Sequence, residues 1–302
     1  MAQTRRGGLG ARTSRGAART VGLRYTFALA PARLLSSRIR EFALSNTVHP
    51  TAIVSPHAEL GSGNHIGAFA IIEDDVRLGD NNRVAAHVVV KRYTEMGNNN
   101  AVFETAVLGG DPQDLKFKNV ASYLRIGNDN VFREGVSVNR GSKPDAATVL
   151  GSGNFLMCTA HIGHDCQVGN HVVMAPSAGL GGHVSVGDRA FISGGVMVHQ
   201  FTHIGTLAMV GGNAKITQDV LPYMITDGNP AEVRGLNVVG LKRAGLSRED
   251  IAMLKEAYRI LFTRGRLLED ALRELTAIDS AHVAQLVGFI RNAKRSFHRA
   301  RD

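Results

Sequence analysis

Residues 150–186 read LGSGNFLMCTAHIGHDCQVGNHVVMAPSAGLGGHVSV, and every sixth residue from Leu150 to Val186 is aliphatic or Met. The same register runs from Val48 to Ile216, and of its 29 positions only Asp114 and Pro144 are not apolar. A short fixed period sustained over this length is typical of a solenoid. The spacing therefore predicts a parallel β-helix over residues 46–220, with one apolar residue per side pointing inward.

Glycine often follows the repeated apolar residue, as at Gly61, Gly79 and Gly151. A coil with flat sides needs corners where the residue is small or has a positive φ, and glycine meets both requirements. Three sides per coil predict a prism of about ten coils, stabilised mainly by each coil stacking on the next.

Two segments interrupt the repeat, residues 111–118 around Asp114 and residues 140–147 around Pro144. Both are rich in charged and turn-forming residues, so we expect loops that project from the prism. Loops on a rigid scaffold often carry binding residues.

Residues 221–302 have a different pattern, which predicts a small helical C-terminal domain. Ser247 and Asp250 form a capping-box pattern, and an apolar stripe at helical spacing follows it. Arg264 and Gly265 are expected to end this helix. Two further helices are predicted near residues 267–276 and 280–298.

The charge of the chain is concentrated at its beginning. The net charge is +9, but residues 1–45 hold nine arginines and one acid, which leaves the body nearly neutral. A basic groove for nucleic acid is therefore not indicated. No apolar stretch reaches the roughly 18 residues of a membrane-spanning helix. Cys158 and Cys166 are the only cysteines, so neither a disulfide scaffold nor a thiolate zinc site is supported.

Residues 1–45 are rich in Arg, Ala and Ser and almost free of acids, which is the composition of an organellar transit peptide. The alternative is a disordered basic tail on a cytosolic protein. The mitochondrion is the first expectation and the plastid the second.

Histidines cluster in one part of the repeat. They are His161, His164, His183, His199 and His203. Residues about 18 apart fall on adjacent coils of a three-sided prism, so His164, His183 and His199 can line one groove. Two chemistries fit such a groove: metal binding by imidazoles, and general base catalysis by one histidine with Asp165 beside it.

Several runs of sequence together resemble the UDP-N-acetylglucosamine O-acyltransferase family. These runs are His49–Val54, Gln113–Lys116, Asn139–Gly141, Ala160–Cys166, Gly182–Val186, Val198–Phe201, Met209–Gly212 and Gly240–Arg243. The resemblance covers residues 46–302. It implies the left-handed β-helix of the hexapeptide-repeat superfamily and a homotrimer.

The resemblance also implies the reaction and its partners. A 3-hydroxyacyl chain would move from acyl carrier protein to the 3-hydroxyl of UDP-N-acetylglucosamine, the first step of lipid A biosynthesis. The acyl carrier protein thioester would be the co-substrate. No metal, no other cofactor and no covalent acyl-enzyme would be involved. The basic leader suggests an organellar form of the enzyme.

By the same resemblance, His164 would be the general base, Asp165 would orient it, and the Gly182 N–H would stabilise the oxyanion. The substrate-binding residues would be Asp114, Lys116, His161, His183, His199, Gln200, Gly212, Asn237 and Arg243. Gly212 matches a position that limits acyl length in the family, and glycine there favours a long chain. Val239 and Pro230 depart from the family pattern, where a carboxylate and a histidine are usual.

Two other classes of protein share the repeat. One is a different hexapeptide acyltransferase, such as a small acetyltransferase or the N-acyltransferase of the same pathway, the latter of which usually has an N-terminal uridine-binding domain. The other is a non-enzymatic or zinc-dependent prism like those attached to mitochondrial respiratory complex I. Those relatives lack the Gly240–Arg243 segment and the helical tail.

Overall fold

A computed structural model describes residues 45–262, 267–293 and 296–300. Residues 1–44 of the predicted leader lie outside these residues. The first fourteen strands are β1 Thr47–Val48, β2 Ile53–Val54, β3 Glu59–Leu60, β4 His65–Ile66, β5 Ile71–Ile72, β6 Arg77–Leu78, β7 Arg83–Val84, β8 Val89–Val90, β9 Thr94–Met96, β10 Ala101–Val102, β11 Val107–Gly110, β12 Tyr123–Ile126, β13 Val131–Phe132 and β14 Ser137–Asn139. The other fourteen are β15 Ala147–Leu150, β16 Phe155–Leu156, β17 His161–Ile162, β18 Gln167–Val168, β19 Val173–Met174, β20 Gly179–Leu180, β21 Ser185–Val186, β22 Phe191–Ile192, β23 Met197–Val198, β24 His203–Ile204, β25 Met209–Val210, β26 Lys215–Ile216, β27 Met224–Gly228 and β28 Ala231–Leu236.

The strands form the three sides of a prism, as the repeat predicts. Every third strand belongs to the same sheet: β1, β4 and onward form the first sheet, β2 and β5 begin the second, and β3 and β6 begin the third. Partners in a regular coil are 18 residues apart, as in the parallel pairing of His161 with Gly179. The second residue of each short strand points inward, and the inward residues from Ile66 to Ile216 form one continuous apolar core. Burying each such side chain contributes roughly 1.5–3 kcal/mol.

The two interruptions of the repeat are loops, as predicted. Residues 111–122, which we name loop one, join β11 to β12, and residues 140–146, loop two, join β14 to β15. Across loop one the paired residues Glu95 and Arg125 are 30 apart, and across loop two Asn130 and Asn154 are 24 apart. The insertions therefore add whole six-residue units to the 18-residue coil. Val120 falls on the six-residue apolar repeat in the sequence, but it lies in loop one and is not part of a coil.

The corner glycines are required for space rather than for backbone conformation. A Cβ on Gly61 would lie 2.7 Å from the backbone of Gly79, and one on Gly79 would lie 2.9 Å from that of Gly97. Neither glycine has a positive φ. Positive φ occurs two residues further along, mostly in other residue types, such as Asn81 at 56° and His183 at 59°. The expectation that glycine supplies both small size and a positive φ at one position is thus wrong for these corners.

A ladder of asparagines, buried except for the half-buried Asn46, runs along the corner between the third and first sheets. Its members are Asn46, Asn64, Asn82, Asn100, Asn130 and Asn154. Each Oδ1 accepts the backbone N–H of the next asparagine at 2.8–3.0 Å, and Asn154 accepts that of Val172. The side-chain amides of the first five donate to glycine carbonyls of the next coil, as Asn82 does to Gly97. The ladder satisfies backbone groups that the corner would otherwise leave unpaired.

The C-terminal part begins as an extension of the first sheet and then becomes helical. β27 pairs in parallel with β25, and β28 returns antiparallel to β27, in a region where the sequence indicated only turns. The helices are α1 Val238–Arg243, α2 Arg248–Phe262, α3 Leu268–Thr276 and α4 Ala281–Asn292.

The helices share a second apolar core with the last coils, which includes Leu221, Met224, Leu254 and Leu286. The capping box at α2 is confirmed, since the Asp250 N–H donates to Ser247 Oγ at 3.0 Å. The predicted end of that helix at Arg264 and Gly265 lies outside the described residues.

The last predicted helix is too long, because α4 ends at Asn292 and Phe297 forms a β-bridge with Asp219. Over the described ranges, none of the helices combines the length and the apolarity that crossing a bilayer demands. The boundary placed at residue 220 stays a prediction.

Replacing Asn100 by Leu tests the ladder. The change leaves the buried N–H of Asn130 without its acceptor, so we expect the free energy of unfolding to fall by about 2–3 kcal/mol. Urea-induced unfolding followed by circular dichroism measures it. Asn81→Gly is the matched control, because Asn81 is exposed and its positive φ suits glycine. Equal losses in both variants would contradict the role of the ladder.

Candidate active site

Most of the predicted site residues lie along one corner, between the second and third sheets. Successive strands of the second sheet each end at this corner, and each is followed by candidate residues. Asp114 and Lys116 follow β11, His164 and Asp165 follow β17, Gly182 and His183 follow β20, and His199 and Gln200 follow β23. His164, His183 and His199 thus lie on successive coils of one corner, as their spacing of about 18 residues predicted.

His164 and Asp165 form a hydrogen-bonded dyad. The His164 Nδ1 lies 2.7 Å from Asp165 Oδ2, and both side chains are largely buried. An ionised carboxylate can only accept, so the proton of the neutral imidazole is on Nδ1 and the Nε2 lone pair is available. The dyad thus holds one imidazole nitrogen ready to accept a proton.

Asp165 is held in place by the corner itself. Its φ is 60°, its backbone N–H donates to Thr148 Oγ1 at 2.7 Å, and both carboxylate oxygens accept the Ser142 N–H at 3.1 and 3.2 Å. Burial acts to raise the pKa of Asp165, but hydrogen bonds from Ser142 and His164 outweigh it and hold the pKa below its ordinary value. Asp165 is therefore a carboxylate at neutral pH.

Gly182 and His183 enclose the imidazole of His164 from the next coil. A Cβ on Gly182 would lie 2.7 Å from the His164 ring, so any side chain there would have to displace the ring. The His183 ring meets the His164 ring edge to face at 5.2 Å and stacks on Phe201 at 4.6 Å. The His183 Nε2 is 3.5 Å from the same Asp165 oxygen. His164 has little freedom to turn in this setting.

His161 points outward from β17, two residues before the corner. Its Nδ1 lies 2.8 Å from Ser137 Oγ on the neighbouring strand, and burial lowers the pKa of its imidazole. His161 is thus a neutral hydrogen-bonding group at neutral pH. His199 lies at the corner two coils further along, with Nδ1 3.0 Å from the carbonyl of Gln200.

Three predicted site residues do not lie at this corner. Gly212 follows β25, at the corner between the first and second sheets, and a Cβ there would meet only the Gly194 carbonyl at 3.7 Å. Asn237 caps α1, with Oδ1 accepting from Gly240 and Nδ2 donating to Leu207. Arg243 is exposed in the last turn of α1. Within one chain, these three residues are not brought to His164.

The corner also has the donor set of a metal site. His164, Asp165 and His183 each offer a ligand atom, and the three atoms lie within 4.8 Å of one another. Two imidazoles and a carboxylate are ligands that zinc accepts. His164 and Asp165 already hydrogen-bond to each other, and His183 Nε2 lies 3.5 Å from the same carboxylate, so geometry alone allows both a base and a metal ligand set.

Comparison with known proteins decides the family. A model described as UDP-N-acetylglucosamine O-acyltransferase, domain 2, matches residues 219–298, and a bacterial transferase hexapeptide model matches residues 46–92 and 147–182. A Synechocystis protein named acyl-(acyl-carrier-protein)–UDP-N-acetylglucosamine O-acyltransferase is 46% identical over 80% of this chain and 88% of its own length. The chain belongs to the UDP-N-acetylglucosamine O-acyltransferase family.

Solved structures of UDP-N-acetylglucosamine acyltransferases have the same fold. The protein from Bacteroides fragilis superposes with a TM-score of 0.82 at 36% identity, and the match covers 84% of this chain and 100% of that one. The Arabidopsis protein gives 0.75 at 33% identity, with 84% and 100% covered. The fold is therefore the left-handed parallel β-helix of this acyltransferase family, followed by short helices.

The sequence missed several residues that contact the dyad or the histidines beside it. Ser142 and Thr148 hold Asp165, Ser137 contacts His161, and Phe201 stacks on His183. Phe201 follows His183 by one coil of 18 residues, so the spacing could have found it. Ser137 precedes His161 by 24 residues, which is one coil plus loop two, and that offset requires the length of the insertion to be known.

Gly182→Ala tests the packing of the imidazole. The added methyl group overlaps the His164 ring, so we expect the ring to move and acyl transfer to fall by about a hundredfold. Steady-state kinetics of the purified acyltransferase measure the rate. Gly288→Ala in α4 is the control, because a Cβ there meets nothing within 4 Å. An unchanged rate in Gly182→Ala would show that His164 is not confined by this glycine.

Proposed function

We propose that the protein transfers a 3-hydroxyacyl chain from acyl carrier protein to the 3-hydroxyl of UDP-N-acetylglucosamine, the first step of lipid A biosynthesis. The relative from Synechocystis is named for an acyl-carrier-protein-dependent reaction of this sugar nucleotide. The observation that carries the proposal is the His164–Asp165 dyad packed against Gly182. A base beside a backbone N–H is what attack of a hydroxyl on a thioester requires.

His164 acts as the general base. Its Nε2 takes the proton of the 3-hydroxyl while the oxygen attacks the thioester carbon, and Asp165 stabilises the imidazolium through Nδ1. The C–S bond then breaks, and the thiolate of the carrier leaves with the proton from His164. The Gly182 N–H donates to the oxyanion between these steps, a contact worth roughly 3 kcal/mol.

The acyl group passes directly between the substrates, without a covalent acyl-enzyme. Cys166 is the thiol next to the dyad, but burial raises its pKa to about 12 and its Sγ donates to the Gly181 carbonyl. A thiol in that state is a poor nucleophile. The reaction needs only an imidazole base and an activated thioester, so no metal or other cofactor takes part.

The remaining residues bind the substrates. Asp114 and Lys116 in loop one, with His161, His183, His199 and Gln200, surround the sugar and the acyl chain at the corner. Asn237 and Arg243 meet the nucleotide, where an exposed guanidinium suits a diphosphate. Gly212 leaves the space beside it open, which favours a long acyl chain.

The active enzyme is a homotrimer in which neighbouring copies complete each site. The support is that Gly212 and Arg243 lie away from His164 within one chain. Phe191 and Met197 also expose apolar side chains on the first and second sheets. Sedimentation equilibrium measures the state, and a monomer with full activity would refute it.

Residues 1–45 are a transit peptide for the mitochondrion, with the plastid as the alternative. The support is their arginine-rich, acid-poor composition. A fluorescent protein carrying residues 1–45 should enter mitochondria, and uniform cytosolic fluorescence would refute the assignment.

The central test is an assay of protein lacking the leader with UDP-N-acetylglucosamine and 3-hydroxyacyl carrier proteins of several lengths. A 3-O-acyl product is expected, and His164→Ala should lower the rate at least about a hundredfold because the base is lost. Mass spectrometry of the product measures it. His57→Ala, an exposed histidine several coils away, is the control. Absence of product with every chain length would refute the proposed function.

A metal-dependent prism is the second candidate, which the ligand set of His164, Asp165 and His183 favours. Elemental analysis and chelation distinguish the two. The acyltransferase should keep its rate after treatment with a chelator. One tightly bound zinc per chain, with activity lost on its removal, would favour the metal-dependent function.

A further inference from the structure

Loop one and loop two leave the prism side by side. They follow β11 and β14, which pair directly, and both project at the corner that carries His164. Loop one contains Asp114 and Lys116, which the proposed function assigns to substrate binding. Loop two contains Ser142, whose N–H donates to Asp165. Loop one therefore borders the site where substrate binding is proposed, and loop two borders it at the dyad.

Arg140, the first residue of loop two, is buried against loop one. Its side chain is 1% exposed, whereas that of its partner Asp111 is 64% exposed. Nη2 and Nε donate to Asp111 Oδ1 at 2.9 and 3.2 Å, and Nη2 also donates to Asn119 Oδ1 at 3.1 Å. The guanidinium lies 5.4 Å from the Phe117 ring centroid and 5.2 Å from that of Tyr93. One side chain thus contacts loop one at its start, its middle and near its end.

The backbone after Arg140 leads directly to the dyad. The Arg140 N–H donates to the Gly110 carbonyl and the Gly141 N–H to the Tyr123 carbonyl, so both ends of loop one are held. A Cβ on Gly141 would lie 2.4 Å from the Ala146 carbonyl oxygen, so the two ends of loop two approach too closely for a side chain at this position. The next residue is Ser142, which contacts both oxygens of Asp165.

We propose that Arg140 is a positioning residue that holds loop one and the His164–Asp165 dyad in a fixed relation. This inference rests on the proposed function for the roles of Lys116 and His164. A guanidinium is needed because it forms several directed bonds while its faces pack on aromatic rings, and the point charge of lysine does neither.

Arg140→Lys in the leaderless enzyme is the first test. We expect kcat/KM to fall by about a hundredfold, with a lower kcat and a higher KM for UDP-N-acetylglucosamine, because both loops shift relative to each other. Asp111→Asn keeps an oxygen acceptor for the buried guanidinium but removes the negative charge, and it should change kcat and KM in the same direction. Arg125→Lys is the matched control. Arg125 pairs with Glu95 at 3.1 Å and lies over the Tyr123 ring, but on the outward face of the third sheet.

A double-mutant cycle separates positioning from simple loss of stability. If Arg140 acts through loop one, Lys116→Ala lowers kcat/KM much less in the Arg140→Lys background than in the wild type. Additive effects, or wild-type kcat/KM in Arg140→Lys, would overturn the inference.

Hydrogen exchange gives a readout that does not need activity. The Ser142 amide should exchange faster in Arg140→Lys than in the wild type and in Arg125→Lys. Unchanged exchange at Ser142 would overturn the inference. If the wild type formed no acylated sugar, that result would refute the proposed function, and the exchange measurement would still test the inference.

Discussion

The parallel pairing of each strand with the strand one coil later is the constraint on which the rest of the structure depends. It makes residues 18 apart direct neighbours, so a side chain has one counterpart above it and one below. The inward apolar residues stack for this reason, and so do the asparagines of the ladder. The site obeys the same rule, since His164 meets Gly182 and Asp165 meets His183 on the next coil.

Two corners of the prism differ in the residues and insertions that they carry. The corner between the third and first sheets carries the asparagine ladder and contains neither insertion. The corner between the second and third sheets carries both insertions and the dyad. Burying a carboxylate such as that of Asp165 destabilises the fold unless each oxygen is hydrogen-bonded. Ser142 and His164 donate those hydrogen bonds.

The sequence predicted the scaffold well because one apolar residue in six is a strong signal and the coil admits few alternatives. The positions of loop one and loop two followed from the breaks at Asp114 and Pro144. The hairpin of β27 and β28 was missed because strands that end a sheet have no repeat to reveal them. Contacts such as Ser142 with Asp165 could not be predicted, since they depend on backbone direction in an irregular loop.

The lengths of the two insertions have a consequence for how such a protein can change. A side chain faces inward or outward according to its place in the six-residue unit, so adding whole units leaves the phase of every later residue unaltered. Loop one and loop two therefore lengthen the chain between two strands without changing which residues of the later coils face inward. The segments that border the dyad therefore lie outside the coils, and their length and composition can change while the same interior is assembled beneath them.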